Sequence, residues 1–126
     1  MAVELNHTVV ATHDRQAGAR FLADVLGLPE PGSFGPFAVV QTANGVSLDF
    51  MDSTEVVPQH YAFLISEDEF DAVAARLRER GIETYGDPGH RRPGHNTNDG
   101  GRGLYFDSPE GHNLEVLTRP YGSGPT

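Results

Sequence analysis

Residues 103–118, Gly103 to Thr118 reading GLYFDSPEGHNLEVLT, decide the fold. Two strand-like runs, 104–107 and 113–118, flank a Ser-Pro-Glu-Gly reversal in which Pro109 and Gly111 supply the angles of a tight turn. Glu115 sits between Leu114 and Val116, so strand alternation turns it away from the face those residues bury. An acid in mid-strand is either a solvated outer residue or a ligand in a cleft, and the rest of the chain must decide which.

Upstream of this stretch lies a loop rich in Gly, Pro, Arg and His, residues 86–102, preceded by a short strand at 82–85. Before that strand comes the clearest helix. Ser66 and Glu69 form a capping box, Ile65 and Phe70 are placed as a hydrophobic staple, and Phe70, Val73, Ala74 and Leu77 recur at helical spacing up to Gly81. Residues 59–65 read as a strand with His60 near its start. The first half follows the same order. A strand over 3–10 has His7 near its middle, and a helix opens at the N-cap Asp14 and stops at Gly27. An irregular strand in 28–35 follows, then strands 37–42 and 46–52 around the hairpin signal Asn44-Gly45.

The halves overlay. His7 and His60 are 53 residues apart, and the helix stops Gly27 and Gly81 are 54 apart. Gly45-Val-Ser-Leu-Asp49 lines up with Gly111-His-Asn-Leu-Glu115, 66 apart. The second half is longer by 12 residues between helix stop and last strand, and the 86–102 loop accommodates the excess. Each half is strand, helix, then three strands. Related by a pseudo-twofold axis, the halves bring equivalent positions together: His7 with His60, and Asp49 with Glu115. Two imidazoles and one or two carboxylates in one cleft make a metal-ligand set suited to Fe, Mn, Zn, Ni or Co.

Composition narrows the chemistry. The 126 residues suit one domain. There is no cysteine, which removes thiol nucleophiles and Cys-based zinc sites, and no lysine, which removes Schiff-base chemistry. A net charge of −9 argues against a nucleic-acid partner. No apolar run is long enough to span a membrane and no leader pattern opens the chain, so the expected setting is cytoplasmic, with no membrane partner.

The residues that carry a resemblance are Asn6-His7-Thr8-Val9, the helix end from Arg20 to Leu28, Gln59-His60-Tyr61-Ala62-Phe63, and Tyr105 to Glu115. In these the chain resembles the vicinal oxygen chelate superfamily, which includes glyoxalase I, bleomycin-resistance proteins, fosfomycin-resistance enzymes and extradiol dioxygenases. The resemblance implies an α+β fold of two tandem βαβββ modules forming a cupped mixed sheet with helices on the outer face. The modules fall at about 1–52 and 59–118, with a linker at 53–58 and a tail at 119–126, in which Pro120 ends the last strand and residues 121–126 are expected to fray. It also implies a homodimer acting on a small molecule that chelates a divalent metal through vicinal oxygens. His7, His60 and Glu115 match the metal positions. Asp49 matches a fourth position where glyoxalase I has glutamate, and its shorter side chain favours contact through water.

Tyr105 resembles the active-site tyrosine of extradiol dioxygenases, and His95 stands where their upstream histidine is sought. The signature departs at Ser108 and in the spacing from His95 to Leu104. The first expectation is an Fe(II) extradiol-type dioxygenase, with Mn, Zn, Ni or Co as other metals and with Tyr105, His95 and Asp49 as catalytic candidates. The alternatives are a glyoxalase-like lyase or isomerase and a drug-sequestering resistance protein. Arg91, Arg92 and Arg102, with His90 and His95, suggest that the 86–102 loop is a lid that grips an anionic substrate. His112 reads as a residue of the turn rim.

Overall fold

The computed structural model describes residues 2–124. The chain divides into two compact units, Met1–Val57 and Pro58–Thr126. Among the described residues it forms seven strands and two α-helices in two mixed sheets, an α+β fold of two βαβββ modules. No helix among those residues is long and apolar enough to cross a membrane.

In the first unit, β1 (His7–Thr12) leads into α1 (Arg15–Leu26), followed by β2 (Gly32–Phe34), β3 (Phe37–Gln41) and β4 (Ser47–Asp52). The sheet order is β1-β4-β3-β2, with β1 parallel to β4 and the remaining pairs antiparallel. Local chemistry sets the helix ends. The Asp14 carboxylate accepts the N–H groups of Gln16 and Ala17 at 3.0 and 3.1 Å, and Gly27 closes the helix at φ 69°. Val10, Ala38, Val40, Leu48 and Phe50 of the sheet and Ala19, Leu22, Ala23 and Val25 of α1 form the core. The first strand is shorter than residues 3–10. It begins at His7, where β4 first offers a parallel partner in Ser47, and Val3 and Leu5 are left exposed.

Gly18 lies in the middle of α1, against Thr12 and Phe50. A Cβ there would meet Thr12 Oγ1 at 2.9 Å. Alanine elsewhere in a helix gains about 1 kcal/mol over glycine. Here the buried Thr12 hydroxyl, which accepts the Asp14 N–H at 3.3 Å, would have to move. Gly18→Ala is therefore expected to lower stability, by about 1–2 kcal/mol in urea denaturation, despite its helix propensity. A stabilised variant would contradict this packing.

The second unit runs β5 (His60–Leu64), α2 (Glu67–Glu79), β6 (Gly103–Asp107) and β7 (Asn113–Leu117), with sheet order β5-β7-β6. The capping box at Ser66 and Glu69 is formed in both directions, at 3.2 and 2.9 Å. Alternation places Leu104, Phe106, Leu114 and Val116 on one buried face of the sheet. The strand expected over residues 82–85 contracts to Tyr85, which bridges Pro93 on one side and Tyr105 on the other, exchanging both backbone hydrogen bonds with Tyr105 (2.9 and 2.7 Å). Thr84 already gives its carbonyl to Gly94, and Gly86 takes that of Arg92, so the returning loop occupies the hydrogen-bonding positions a strand would need.

Candidate metal centre

The second unit places three of the sequence candidates together. In register, His60 pairs with Asn113, Ala62 with Glu115, and Tyr105 with Glu115. The two-residue period then puts His60, Glu115 and Tyr105 on one face of the sheet, opposite Leu114 and Val116. His60 Nε2 lies 3.1 Å from Glu115 Oε1. The His60 ring stacks on Tyr105, with centroids 5.8 Å apart and planes at 25°. Glu115 is only 5 % exposed, so the mid-strand acid is not solvated. The His60 side chain is 47 % exposed, which leaves this face open to an approaching ligand.

A buried carboxylate demands compensation. His60 Nδ1 lies 2.9 Å from the main-chain oxygen of Asn113, an acceptor, so Nδ1 carries a proton and Nε2 is the nitrogen that faces Glu115. Two electron-rich groups at 3.1 Å are complementary only with a positive centre between them, a proton or a metal ion. An imidazole that gives Nδ1–H to a backbone carbonyl and offers Nε2 to a cation is the usual arrangement of a metal-ligating histidine. The donor set therefore fits a divalent metal. Beside it, burial first and then the Glu115 carboxylate and the Tyr121 side chain push the Tyr105 phenol well above its ordinary range. Tyr105 stays protonated and is a donor, not a base.

The first unit repeats the register. His7 pairs with Ser47, and Val9 with Asp49, as His60 pairs with Asn113 and Ala62 with Glu115. The side chains differ. His7 Nδ1 lies 2.7 Å from Asn6 Oδ1, and Asp49 accepts the Ser47 hydroxyl at 2.5 Å. His7, Asp49, Val9, Phe34, Phe37 and Val39 line an open groove of about 390 Å³. Among the described residues, neither unit gathers three His, Asp or Glu side chains at one point.

The other candidates lie elsewhere. His95 packs edge-on against Phe70 at 5.9 Å and lines, with Leu104, a groove beside α2. Leu104 faces away from Tyr105, so His95 is on the sheet's other side from the His60–Glu115 pair. Arg102 does not reach for a substrate. Its guanidinium bonds Glu67 and Asp71, both at 2.8 Å, and lies 4.4 Å over the Phe70 ring, holding the Asp71 carboxyl below its ordinary range. The 86–102 segment is no loose lid: Asp87 caps the N–H groups of Arg91 and Arg92, and Asn96 exchanges two backbone bonds with Gly103. The tail is held through residue 124, and residues 125 and 126 lie outside the described residues. Asp99 accepts Gly122 N–H at 3.3 Å, and Arg119 donates to Ser123 O at 3.2 Å.

His112 is the residue the sequence reading misplaced most. It is buried at 2 % exposure, accepts the Gln59 N–H on Nδ1 at 3.0 Å and meets Tyr61 edge-on at 5.7 Å. It ties the start of β5 to the turn before β7. The signal was available: His112, Leu114 and Val116 share the two-residue period of the buried face.

The family model described as Glyoxalase/Bleomycin resistance protein/Dioxygenase superfamily matches residues 4–116. Among solved structures, Oxidase ChaP-H1 is 64% identical with a TM-score of 0.94, covering 96% of this chain and 99% of its own. Oxidase ChaP-H2 is 61% identical with a TM-score of 0.96, covering 99% and 100%. The glutathione transferase FosA of Serratia marcescens is 27% identical, with 92% of this chain and 81% of that protein aligned.

Proposed function

Because the chain belongs to the glyoxalase/bleomycin resistance protein/dioxygenase superfamily, we propose that it is a metal-dependent oxidase or dioxygenase acting on a small substrate with two adjacent oxygens. The observation that carries this reading is the buried Glu115 carboxylate facing Nε2 of a His60 whose Nδ1–H is held by a backbone carbonyl. Similarity to two proteins described as oxidases supports oxygen chemistry over the lyase or drug-binding alternatives. His60, Glu115 and His7 are the proposed ligands, and a homodimer is part of the same reading. A divalent metal there, Fe(II) first, would supply Lewis acidity towards the substrate oxygens and redox chemistry towards dioxygen.

The chain's own residues have separate tasks. Glu115 supplies the negative charge that selects a cation, and its burial strengthens that field. His60 offers Nε2 while Asn113 holds its other nitrogen. Tyr105, protonated and stacked on His60, donates a hydrogen bond or a proton to a substrate oxygen on this face. His95 has no such access.

The test is oxygen uptake with catechols by protein reconstituted with Fe(II), alongside metal analysis. Stoichiometric metal and substrate-dependent uptake are expected. Metal without uptake would direct the reading to a lyase, and no stoichiometric metal after reconstitution with Fe, Mn, Zn, Ni or Co would overturn it. Asp49, tied to Ser47, acts as an outer group in this reading. Asp49→Ala is expected to weaken metal affinity about tenfold, as loss of an outer partner does, and not to abolish stoichiometric binding. Complete loss of metal would make Asp49 a ligand.

A further inference from the structure

We propose that His90, in the segment by which the second module exceeds the first, is a positioning residue for His60, acting through Asn113; this rests on the metal reading above. Four observations converge on it. His90 adopts φ 56°, a left-handed conformation that a non-glycine residue holds only when its surroundings over-determine it. Its ring lies on Tyr85, with centroids 4.4 Å apart and planes at 11°. His90 Nε2 lies 2.9 Å from Asn113 Oδ1, and His90 Nδ1 is 3.7 Å from Asp107 Oδ2. Asn113 Nδ2 donates to Pro88 O at 3.2 Å, which settles the amide orientation and makes His90 Nε2–H the donor.

Both polar ends of the Asn113 side chain are therefore held by residues 88 and 90. Its main chain is held as well, with the N–H on Gln59 O at 2.8 Å. The remaining group is its carbonyl oxygen, the atom that takes Nδ1–H from His60. A chain of contacts runs from His90 to Asn113 to His60 and sets the direction of Nε2.

The first module provides the contrast. Its counterpart of Asn113 is Ser47, opposite His7, and His7 Nδ1 meets the neighbouring Asn6 side chain instead of a strand carbonyl. Glycine would take the His90 backbone conformation without strain. Only the imidazole makes both the stack and the Asn113 bond.

Mn(II) affinity of the full-length protein, titrated by electron paramagnetic resonance, tests this. His90→Gly is expected to bind about tenfold more weakly, with a melting temperature lowered by no more than a few degrees, because the relieved φ offsets part of the lost stack and hydrogen bond. Asn113→Ala, which leaves residue 90 intact, is expected to weaken binding by a similar factor, and the double variant to be no weaker than Asn113→Ala alone. Unchanged affinity in His90→Gly, or additive effects in the double variant, would overturn the assignment. Should His90→Gly fail to fold, Asn113→Ala decides, because unchanged affinity there also breaks the chain of contacts. A wild-type protein that takes up none of Mn(II), Fe(II), Zn(II), Ni(II) or Co(II) would instead sink the metal reading itself.

Discussion

Glu115→Gln is expected to abolish stoichiometric Fe(II) or Mn(II) binding and to lower turnover by about 10³-fold or more, since a catalytic metal contributes several kcal/mol to the transition state. The carboxylate is buried at 5 % exposure, and His60 turns Nε2 to it at 3.1 Å. Glutamine keeps the volume and removes the charge. Without metal a proton between His60 Nε2 and Glu115 takes the cation's place, and a buried ion pair adds little net stability, so the metal-free variant should melt within a few degrees of the metal-free wild type. That pairing separates a functional acid from a structural one. A variant that keeps full metal and loses stability would show that Glu115 serves the fold.

Tyr105→Phe is expected to lower turnover by about 10²-fold while metal stoichiometry stays intact, the range for loss of a positioned proton donor. The phenol is pushed up by burial and by Glu115, so its proton is retained for donation. Phenylalanine preserves the stack on His60 and the backbone bridge to Tyr85. The loss should fall on kcat, read by oxygen uptake at saturating catechol. Equal losses of metal and turnover would make Tyr105 a support for the ligand set. Unchanged turnover would remove it from the chemistry.

Much of the fold was legible because its signals are short-range. Asp14 caps residues two and three positions on, Ser66 and Glu69 satisfy each other's backbone, and Gly27, Gly45 and Gly111 take positive φ where the chain turns. Each depends on neighbours within a few residues, and these are visible in sequence order. The repeat was legible for a related reason. Equivalent spacing produced equivalent register, so that His7 stands to Asp49 as His60 stands to Glu115.

The misreadings share the opposite cause. The 82–85 strand failed because Gly94 and Arg92 occupy its bonding positions, and β1 starts late because its partner does. Arg102 looked free for a substrate until α2 brought Glu67 and Asp71 to it. His95 and Tyr105 are ten residues apart, yet their faces of the sheet differ. The turn around Pro109 and Gly111 marks its strands in any context, because its angles are local. Whether Glu115, on the second of those strands, meets water or a cation is not local. Alternation turned it from Leu114 and Val116. Only the tertiary structure buried it, by laying β5 and β6 on either side of β7 and so placing His60 and Tyr105 against one carboxylate. Burial is a property of what packs around a residue, and the partners of β7 come from segments as far as 55 residues away.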